Sequence, residues 1–212
     1  MGTQGMWFHI HDYSLGGISG AYGIHHIDIA QWGNGTDHTG PVEIEGTGTL
    51  PGDGLADTFL EWDAQIKYAN GVKLIYMGTE TAMKKAWQFS SFPLNWPGCG
   101  VLFQGTDGWV LVGRGHIYAE PESLLREEIG PNEIRLYRSS DHHRNFLDCV
   151  KSRAETICTV ETAVRADTIC HLSDTAIRLG RKIKWDPNTE RVIGDNAANQ
   201  MLNRPLRSPW RL

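Results

Sequence analysis

The sequence predicts an α+β protein in which a mostly antiparallel, open sheet is covered by helices mainly on one face. A helical pattern comes first, short alternating segments with turn signals run from Val42 to about Tyr137, and further helical patterns fill the last third. Strands that are grouped together and flanked by helices favour an antiparallel sheet over repeated βαβ units. The 212 residues show no internal repeat and no convincing linker, so residues 1–212 are expected to form a single domain.

The first predicted element is a helix of about four turns, from Gly17 to Trp32. Apolar side chains recur there at steps of three and four residues, and Gly33-Asn34-Gly35 follows as a stop. Gly20 and Gly23 lower the helix propensity of the segment. Their presence indicates that another part of the chain packs closely against this helix.

Two hairpins are predicted in the region of alternating segments. The better one joins Trp62–Tyr68 to Val72–Tyr76 at Asn70-Gly71, because asparagine and glycine accept the positive φ angles of a tight primed turn. The second pairs Val101–Gln104 with Trp109–Val112 across Asp107-Gly108.

Residues 82–98 separate the two hairpins. They contain Phe92-Pro93 and Trp96-Pro97 and few periodic cues, so we expect a long excursion rather than a regular element. Its aromatic content indicates a segment that lies over a site.

The last third is predicted to contain helices, one short strand and a tail. These elements are a helix from Ser140 or Asp141 to about Ser152, a helix from about Val160 to Leu179 that ends at Gly180, an edge strand at Lys182–Trp185, a last helical turn or two at Asn196–Leu202, and an extended tail at Arg204–Leu212. The tail carries Arg204, Arg207, Arg211 and Trp210. It either clamps onto the body or a neighbouring subunit, or is a solvated terminus.

The composition excludes several classes of function. The net charge is −5 and basic residues form no run longer than a pair, so there is no electrostatic footprint for nucleic acid. No apolar stretch reaches the roughly 18 residues that cross a bilayer, and the start lacks the pattern of a signal peptide, so we expect a cytoplasmic protein that does not enter membranes. The four cysteines are widely spaced, form no zinc spacing, and are expected to be buried free thiols.

The densest polar cluster lies in the first predicted helix. His25, Asp28 and Trp32 share one helix face, whereas His26 points about 100° away. A histidine that is oriented by a carboxylate can exchange a proton with a hydroxyl group, which suits alcohol oxidation. The alternative is that the histidine packs in the core while Asp28 bonds to backbone or to an arginine. The pattern alone leaves both interpretations open.

Other side chains are weaker candidates. His9 and His11, together with His25, could supply ligands to a divalent metal, which would allow metal-assisted hydrolysis or elimination on a carbohydrate. Tyr22 and Trp32 could stack on a sugar ring, although such aromatic side chains are more often part of a core. His142 and His143 begin a helix, where the helix dipole disfavours protonation, so a structural or pocket-lining role is expected there.

Several segments, taken together, resemble one protein family. They are Asp12-Tyr13-Ser14-Leu15-Gly16-Gly17, the run from Gly23 to Trp32-Gly33, His142-His143-Arg144-Asn145-Phe146-Leu147-Asp148-Cys149-Val150, Gly180-Arg181 with Trp185-Asp186-Pro187, and Arg204-Pro205 with Pro209-Trp210. They resemble the C-terminal domain of the glucose-fructose oxidoreductase and inositol dehydrogenase (Gfo/Idh/MocA) family. The resemblance covers roughly residues 10–212.

The resemblance implies a fold and a site. The implied fold is the dihydrodipicolinate-reductase-like C-terminal domain, whose open sheet face mediates homo-oligomers and whose helical side meets a separate Rossmann domain and closes a sugar pocket. His25 would be the proton-transferring histidine, supported by Asp28. Independently of the resemblance, Tyr22, His26, Trp32, His142 and His143 are the candidate contacts to a sugar or polyol. One departure is Ala21, where many relatives carry an acidic residue.

The sequence lacks the features that bind a nucleotide. It contains no G-x-G-x-x-G turn, and Glu120-Pro121 has no lysine between its residues, unlike the Glu-Lys-Pro segment of the family. We therefore expect no cofactor to be bound by this chain alone. NAD(P) would enter with a Rossmann domain, on a partner chain or on a part of the protein that is absent here. The alternatives are a stand-alone metal-assisted carbohydrate hydrolase or lyase and a purely structural oligomerisation module.

Overall fold

A computed structural model describes residues 7–20, 22–86, 99–204 and 206–210. The helices are α1 (Gly23–Asn34), α2 (Thr79–Ala86), α3 (His142–Ser152), α4 (Val160–Leu179) and α5 (Asn196–Met201). The strands are β1 (Glu43–Thr49), β2 (Glu61–Lys67), β3 (Lys73–Met77), β4 (Val101–Gln104), β5 (Trp109–Gly113), β6 (His116–Glu120), β7 (Ile183–Asp186) and β8 (Arg191–Val192). Every strand pair in the described residues is antiparallel, and the predicted α+β class with an open antiparallel sheet is confirmed.

The chain divides into two compact units. One comprises residues 1–99 and 165–212, and the other comprises residues 100–164. The first unit contains a five-stranded sheet in the order β3-β2-β1-β7-β8, and the second contains a three-stranded sheet in the order β4-β5-β6. The single domain over residues 1–212 stays a prediction.

The five-stranded sheet has one buried face. Ile44 of β1 pairs with Ile66 of β2 and with Ile183 of β7, and all three side chains are buried. Gly46 and Gly48 follow on the same face, where a methyl group would lie 3.1 Å and 3.0 Å from side-chain atoms of Ile177 in α4. Because these positions carry no side chain, α4 packs close to the backbone of β1.

Both predicted hairpins form, although the first uses a different turn. Gly71 has a φ of 90° and its N–H donates to Tyr68 O at 3.1 Å, whereas Asn70 does not adopt a positive φ. The loop is therefore a three-residue connection that ends in a glycine, not a primed two-residue turn. Asn70 contributes through its side-chain oxygen, which accepts from Val72 N at 3.1 Å. In the second hairpin, Gln104 pairs with Trp109 as predicted.

The first helix begins at Gly23, not at Gly17. Gly16–Ile18 form a short 3-10 turn instead, and the Ile18 carbonyl accepts a hydrogen bond from the Tyr76 hydroxyl of β3. Ile18 is fully buried, so its place in the apolar pattern reflects core packing rather than membership of α1. The predicted stop is confirmed, because Gly35 ends α1 in the left-handed conformation with a φ of 65°.

Three other predictions about the elements were wrong. Residues 82–86 belong to α2 rather than to an irregular excursion, while residues 87–98 lie outside the described residues. The strand that was predicted at Lys182–Trp185 is β7, and it lies between β1 and β8 rather than at an edge. Alternating strands end at Glu120, and a short 3-10 turn and irregular backbone follow up to Tyr137.

The three predicted helices of the last third form close to their predicted bounds. Asp141 accepts a hydrogen bond from Arg144 N at 3.0 Å and begins α3, and Asp195 accepts one from Ala198 N at 3.0 Å and begins α5. Gly180 follows α4 with a φ of 61°. Each cap satisfies a backbone group that the helix leaves without a partner.

The tail is fixed to the first unit at its start. The Arg204 guanidinium donates to the carbonyl of His11 at 2.5 Å and to the carbonyl of Asp12. This contact supports the clamp over the solvated terminus for Arg204, while Trp210 is exposed and Arg211 lies outside the described residues. Within the described residues, no helix combines the length and the apolar character needed to cross a membrane.

Candidate functional site

Helix α1 carries most of the predicted site and rests on a close backbone contact. Gly23 begins the helix, and a side chain on it would overlap the Ile18 carbonyl and the Tyr76 hydroxyl. At the other end, the buried Gln31 donates to Thr36 O at 2.9 Å and accepts from the Tyr68 hydroxyl at 2.7 Å. Both ends of α1 are therefore held by the five-stranded sheet or by the loop that leads to it.

The charges of His25 and Asp28 interact across one turn of α1. His25 is exposed, and Asp28 is partly buried with its Oδ1 enclosed and without a hydrogen-bond partner among the described residues. Burial raises the pKa of Asp28, the negative charge of Asp37 raises it further, and His25 lowers it. An exposed imidazole beside a carboxylate that is costly to ionise is an arrangement that can exchange a proton with a hydroxyl group.

His26 lies on a different face of α1 and is buried. Its Nδ1–H donates to the Tyr22 carbonyl at 2.7 Å, which leaves Nε2 as the nitrogen with the free lone pair. That Nε2 is enclosed and has no hydrogen-bond partner among the described residues. The environment of His26 is that of a core side chain, whereas His25 is the histidine that reaches solvent.

Two exposed aromatic side chains flank the histidines along α1. The Tyr22 ring is 56% exposed, and its centroid lies 6.4 Å from that of His25 and 6.0 Å from that of His26. Trp32, about two turns after His25, is 37% exposed. Neither ring is used in the core, so both are available to stack on a ligand.

His142 and His143 belong to the second unit. Their rings lie 4.1 Å apart at the first turn of α3, and both are exposed. Asp141 caps this turn, and the backbone N–H of Arg144 is the main cause that lowers the pKa of Asp141. The cap satisfies a backbone N–H at this end of α3, while the imidazoles themselves are exposed to solvent.

The predicted metal ligands are not brought together. His11 Nε2 lies 2.9 Å from the buried Asp174 Oδ2, and Arg178 Nε approaches the same oxygen at 3.0 Å. The described part of the chain contains no group of three or more His, Cys, Asp or Glu side chains that could hold a metal ion. His11 therefore contacts the carboxylate of Asp174, and the metal centre with His9 and His25 stays a prediction.

The structure adds residues that the sequence pattern did not single out. The negative charge of Asp37, in the turn after α1, raises the pKa of Asp28. Ser19 Oγ donates to Asp167 Oδ1 of α4 at 2.6 Å. Asp37 carried a weak signal, because it lies just beyond the glycine that ends the helix. The Ser19–Asp167 contact joins residues 148 positions apart in the chain, and no local pattern marks it.

A shallow depression of about 290 Å³ lies on the polar face of the five-stranded sheet. Its lining residues are Glu45, Gly46, Thr47, Asp63, Gln65, Gly180, Arg181 and Lys182. Lys182 Nζ lies 2.9 Å from Glu45 Oε1 and 3.7 Å from Glu43 Oε2, so charged groups on this face are paired with one another. None of the lining residues belongs to α1.

A family model described as "Oxidoreductase family, C-terminal alpha/beta domain" (Gfo/Idh/MocA) matches residues 98–212, more than half of the chain. The chain belongs to this oxidoreductase family. The resemblance noted in the sequence is thereby confirmed. No protein of curated function matches the sequence.

Solved structures are similar to this Gfo/Idh/MocA chain at low sequence identity. One is called an NAD-binding protein from Listeria innocua, with 14% identity and a TM-score of 0.53. The matched region covers 84% of this chain and 54% of the chain of that structure. Another is called the UDP-N-acetylglucosamine 3-dehydrogenase GnnA from Acidithiobacillus ferrooxidans, with 16% identity, a TM-score of 0.46, and coverage of 74% and 46%. The first likeness shows the fold alone. The Gfo/Idh/MocA chain spans about half the length of the solved structures that it matches.

Proposed function

We propose that this chain is the substrate-binding half of an NAD(P)-dependent sugar or polyol oxidoreductase, and that it does not hold the nucleotide by itself. The observation that carries the proposal is the exposed His25 beside the partly buried Asp28 on α1, in a chain of the Gfo/Idh/MocA family. The family is one of oxidoreductases, and oxidation of an alcohol requires a group that removes the hydroxyl proton. His25 is the side chain of α1 that is suited to this step.

The proton chemistry follows from the two side chains. An imidazole nitrogen of His25 accepts the hydroxyl proton of the bound sugar or polyol, and the carboxylate of Asp28 stabilises the imidazolium that forms. Tyr22 and Trp32 present exposed rings that can cover the apolar face of a sugar. His142 and His143 are exposed and are proposed as further substrate contacts. His26 was a candidate contact too, but its side chain is buried, so it would have to act through the position of its neighbours on α1.

The residues of this chain do not fit a dinucleotide. A pyrophosphate needs a glycine-rich turn between a parallel strand and a helix, whereas every described strand pair is antiparallel and the sequence has no G-x-G-x-x-G. NAD(P) would be held by a Rossmann domain outside this chain. We further propose that the polar sheet face mediates homo-oligomers and that the protein works in the cytoplasm.

Two titrations test this proposal. Calorimetry with NAD and NADP should show no micromolar binding to this chain, and an NMR titration with myo-inositol or glucose should shift signals of α1. His25→Ala should abolish the NMR response, and His38→Ala, which removes another exposed histidine just beyond α1, should preserve it. Tight nucleotide binding by the chain alone, or equal sugar binding by His25→Ala, would contradict the proposal.

A further inference from the structure

The turn that leads into α1 is anchored at two points. Ser19 Oγ donates to Asp167 Oδ1 of α4 at 2.6 Å, and the Tyr76 hydroxyl of β3 donates to the carbonyl of Ile18. One anchor belongs to the helix layer and the other belongs to the sheet. The turn is therefore fixed from both layers before α1 begins.

Helix α1 is built directly on this turn. Ile24 N donates to Ser19 O at 3.4 Å, and Gly23 lies so close to the Ile18 carbonyl that a side chain on it would overlap that group. His25 is the next residue after Ile24. A movement of the turn would consequently be passed to the backbone that carries the imidazole, because no flexible side chain intervenes between them.

Asp167 is itself oriented by a second contact. Its Oδ2 lies 3.3 Å from His171 Nε2, one turn further along α4. The hydrogen bond from His171 is the main cause that lowers the pKa of Asp167, and the one from Ser19 adds to it. The carboxylate thus stays ionised, and a charged acceptor makes a stronger hydrogen bond to Ser19 than a neutral acceptor would.

The same face of α4 holds the segment before the turn. Asp174 lies seven residues after Asp167, and Arg178 lies eleven residues after it, spacings that share one helix face. Asp174 contacts His11, and Arg178 donates to Asp57 O at 2.8 Å. A polar stripe on α4 therefore contacts both ends of the segment from His11 to Ser19, through Asp174 at His11 and through Asp167 at Ser19.

We propose that Asp167 is a positioning residue for His25, acting through Ser19 and the turn at residues 16–20. The inference rests on the proposed function, since it assigns a role to the surroundings of the same histidine. Asp167 does not touch the substrate. It sets where α1 begins and hence where the imidazole lies.

The test compares variants by the ring signals of His25 in NMR spectra of the free protein. Ser19→Ala and Asp167→Asn remove or weaken the contact, and Ser19→Thr keeps a hydroxyl that can restore it. Asp195→Ala serves as the matched control, because it removes a cap of α5 in the same unit and lowers stability without touching the turn. We expect the His25 ring signals to shift in Ser19→Ala and Asp167→Asn, and to stay near their original positions in Ser19→Thr and Asp195→Ala.

A second measurement connects the position of His25 to ligand binding. We expect Ser19→Ala to weaken binding of myo-inositol by up to about fivefold, because the anchor contributes about 1 kcal/mol and no more than that can be lost from binding. Ser19→Thr should recover the affinity. Unchanged His25 signals in Ser19→Ala, with a loss of stability like that of Asp195→Ala, would overturn the positioning role. A wild-type chain that does not respond to myo-inositol would contradict the proposed function, while the signals of the free protein would still decide the role of Asp167.

Discussion

Replacing Gly23 by alanine places two opposing effects at the start of α1. Alanine in place of glycine favours a helix by up to about 1 kcal/mol. The new methyl group, however, would overlap the Ile18 carbonyl and the Tyr76 hydroxyl. Overpacking of a tight contact costs about 1–3 kcal/mol, and loss of the hydrogen bond between Tyr76 and Ile18 costs about 1 kcal/mol. The overlap involves backbone, which cannot rotate away, so we expect Gly23→Ala to lower the free energy of unfolding by about 1–3 kcal/mol.

Urea unfolding followed by tryptophan fluorescence measures this change. Gly52→Ala is the matched control, because a methyl group at Gly52 meets nothing within 4 Å and its φ is unstrained. The control should be neutral or slightly stabilising, since alanine reduces the entropy of the unfolded chain. If Gly23→Ala were as stable as the wild type, the close contact beneath α1 would not be a constraint, and helix propensity would be the dominant effect.

Three further changes test separate parts of the first and second units. Asp28→Asn should stabilise the protein at neutral pH, because the raised pKa of Asp28 means that its ionised form is disfavoured in the folded state. The gain in stability should shrink as the pH falls below that pKa. Thermal unfolding across pH 3–7 measures this change. Tyr68→Phe should lower the free energy of unfolding in urea by about 1 kcal/mol, because the Tyr68 hydroxyl donates to the buried Gln31 at 2.7 Å. Arg153→Gly should raise the free energy of unfolding by about 0.5–1 kcal/mol, measured by calorimetry, because Arg153 ends α3 with a φ of 61°. A lower free energy of unfolding would show that the side chain of Arg153 matters more than its backbone conformation.

Features set by neighbours in the chain could be predicted from the sequence. Asp141 comes directly before a helical pattern, and Gly35 and Gly180 come directly after two others, so three helix ends were marked by the local chemistry of single residues. The first hairpin was found for the same reason. Its turn type was wrong because Asn-Gly suits both a primed turn and a three-residue loop, and only the strand register separates the two.

Features set by distant residues could not be predicted. The apolar pattern that includes Ile18 continues across the start of α1, and only the sheet residue Tyr76 shows that the Ile18 carbonyl is already used. The central position of β7 depends on β8, a strand of two residues without a sequence signature. In the candidate site, the shared face of His25 and Asp28 followed from helical spacing, whereas the influence of Asp37 depends on the path of the turn after the helix.

The bare backbone at Gly46 and Gly48 sets the thickness of the layer between β1 and α4. A methyl group would overlap Asp63 O and Ala64 of β2 at Gly46, or the ring of Phe59 at Gly48, and would also crowd Ile177 of the helix that carries Asp167. If α4 moved in response, the hydrogen bond between Ser19 and Asp167 would move with it, whereas the hydrogen bond between Tyr76 and Ile18 would stay with the sheet. Two small residues on a strand that makes no contact with ligand in the proposed mechanism would then control the geometry of the histidine, so variation at these glycines should alter ligand affinity from a distance.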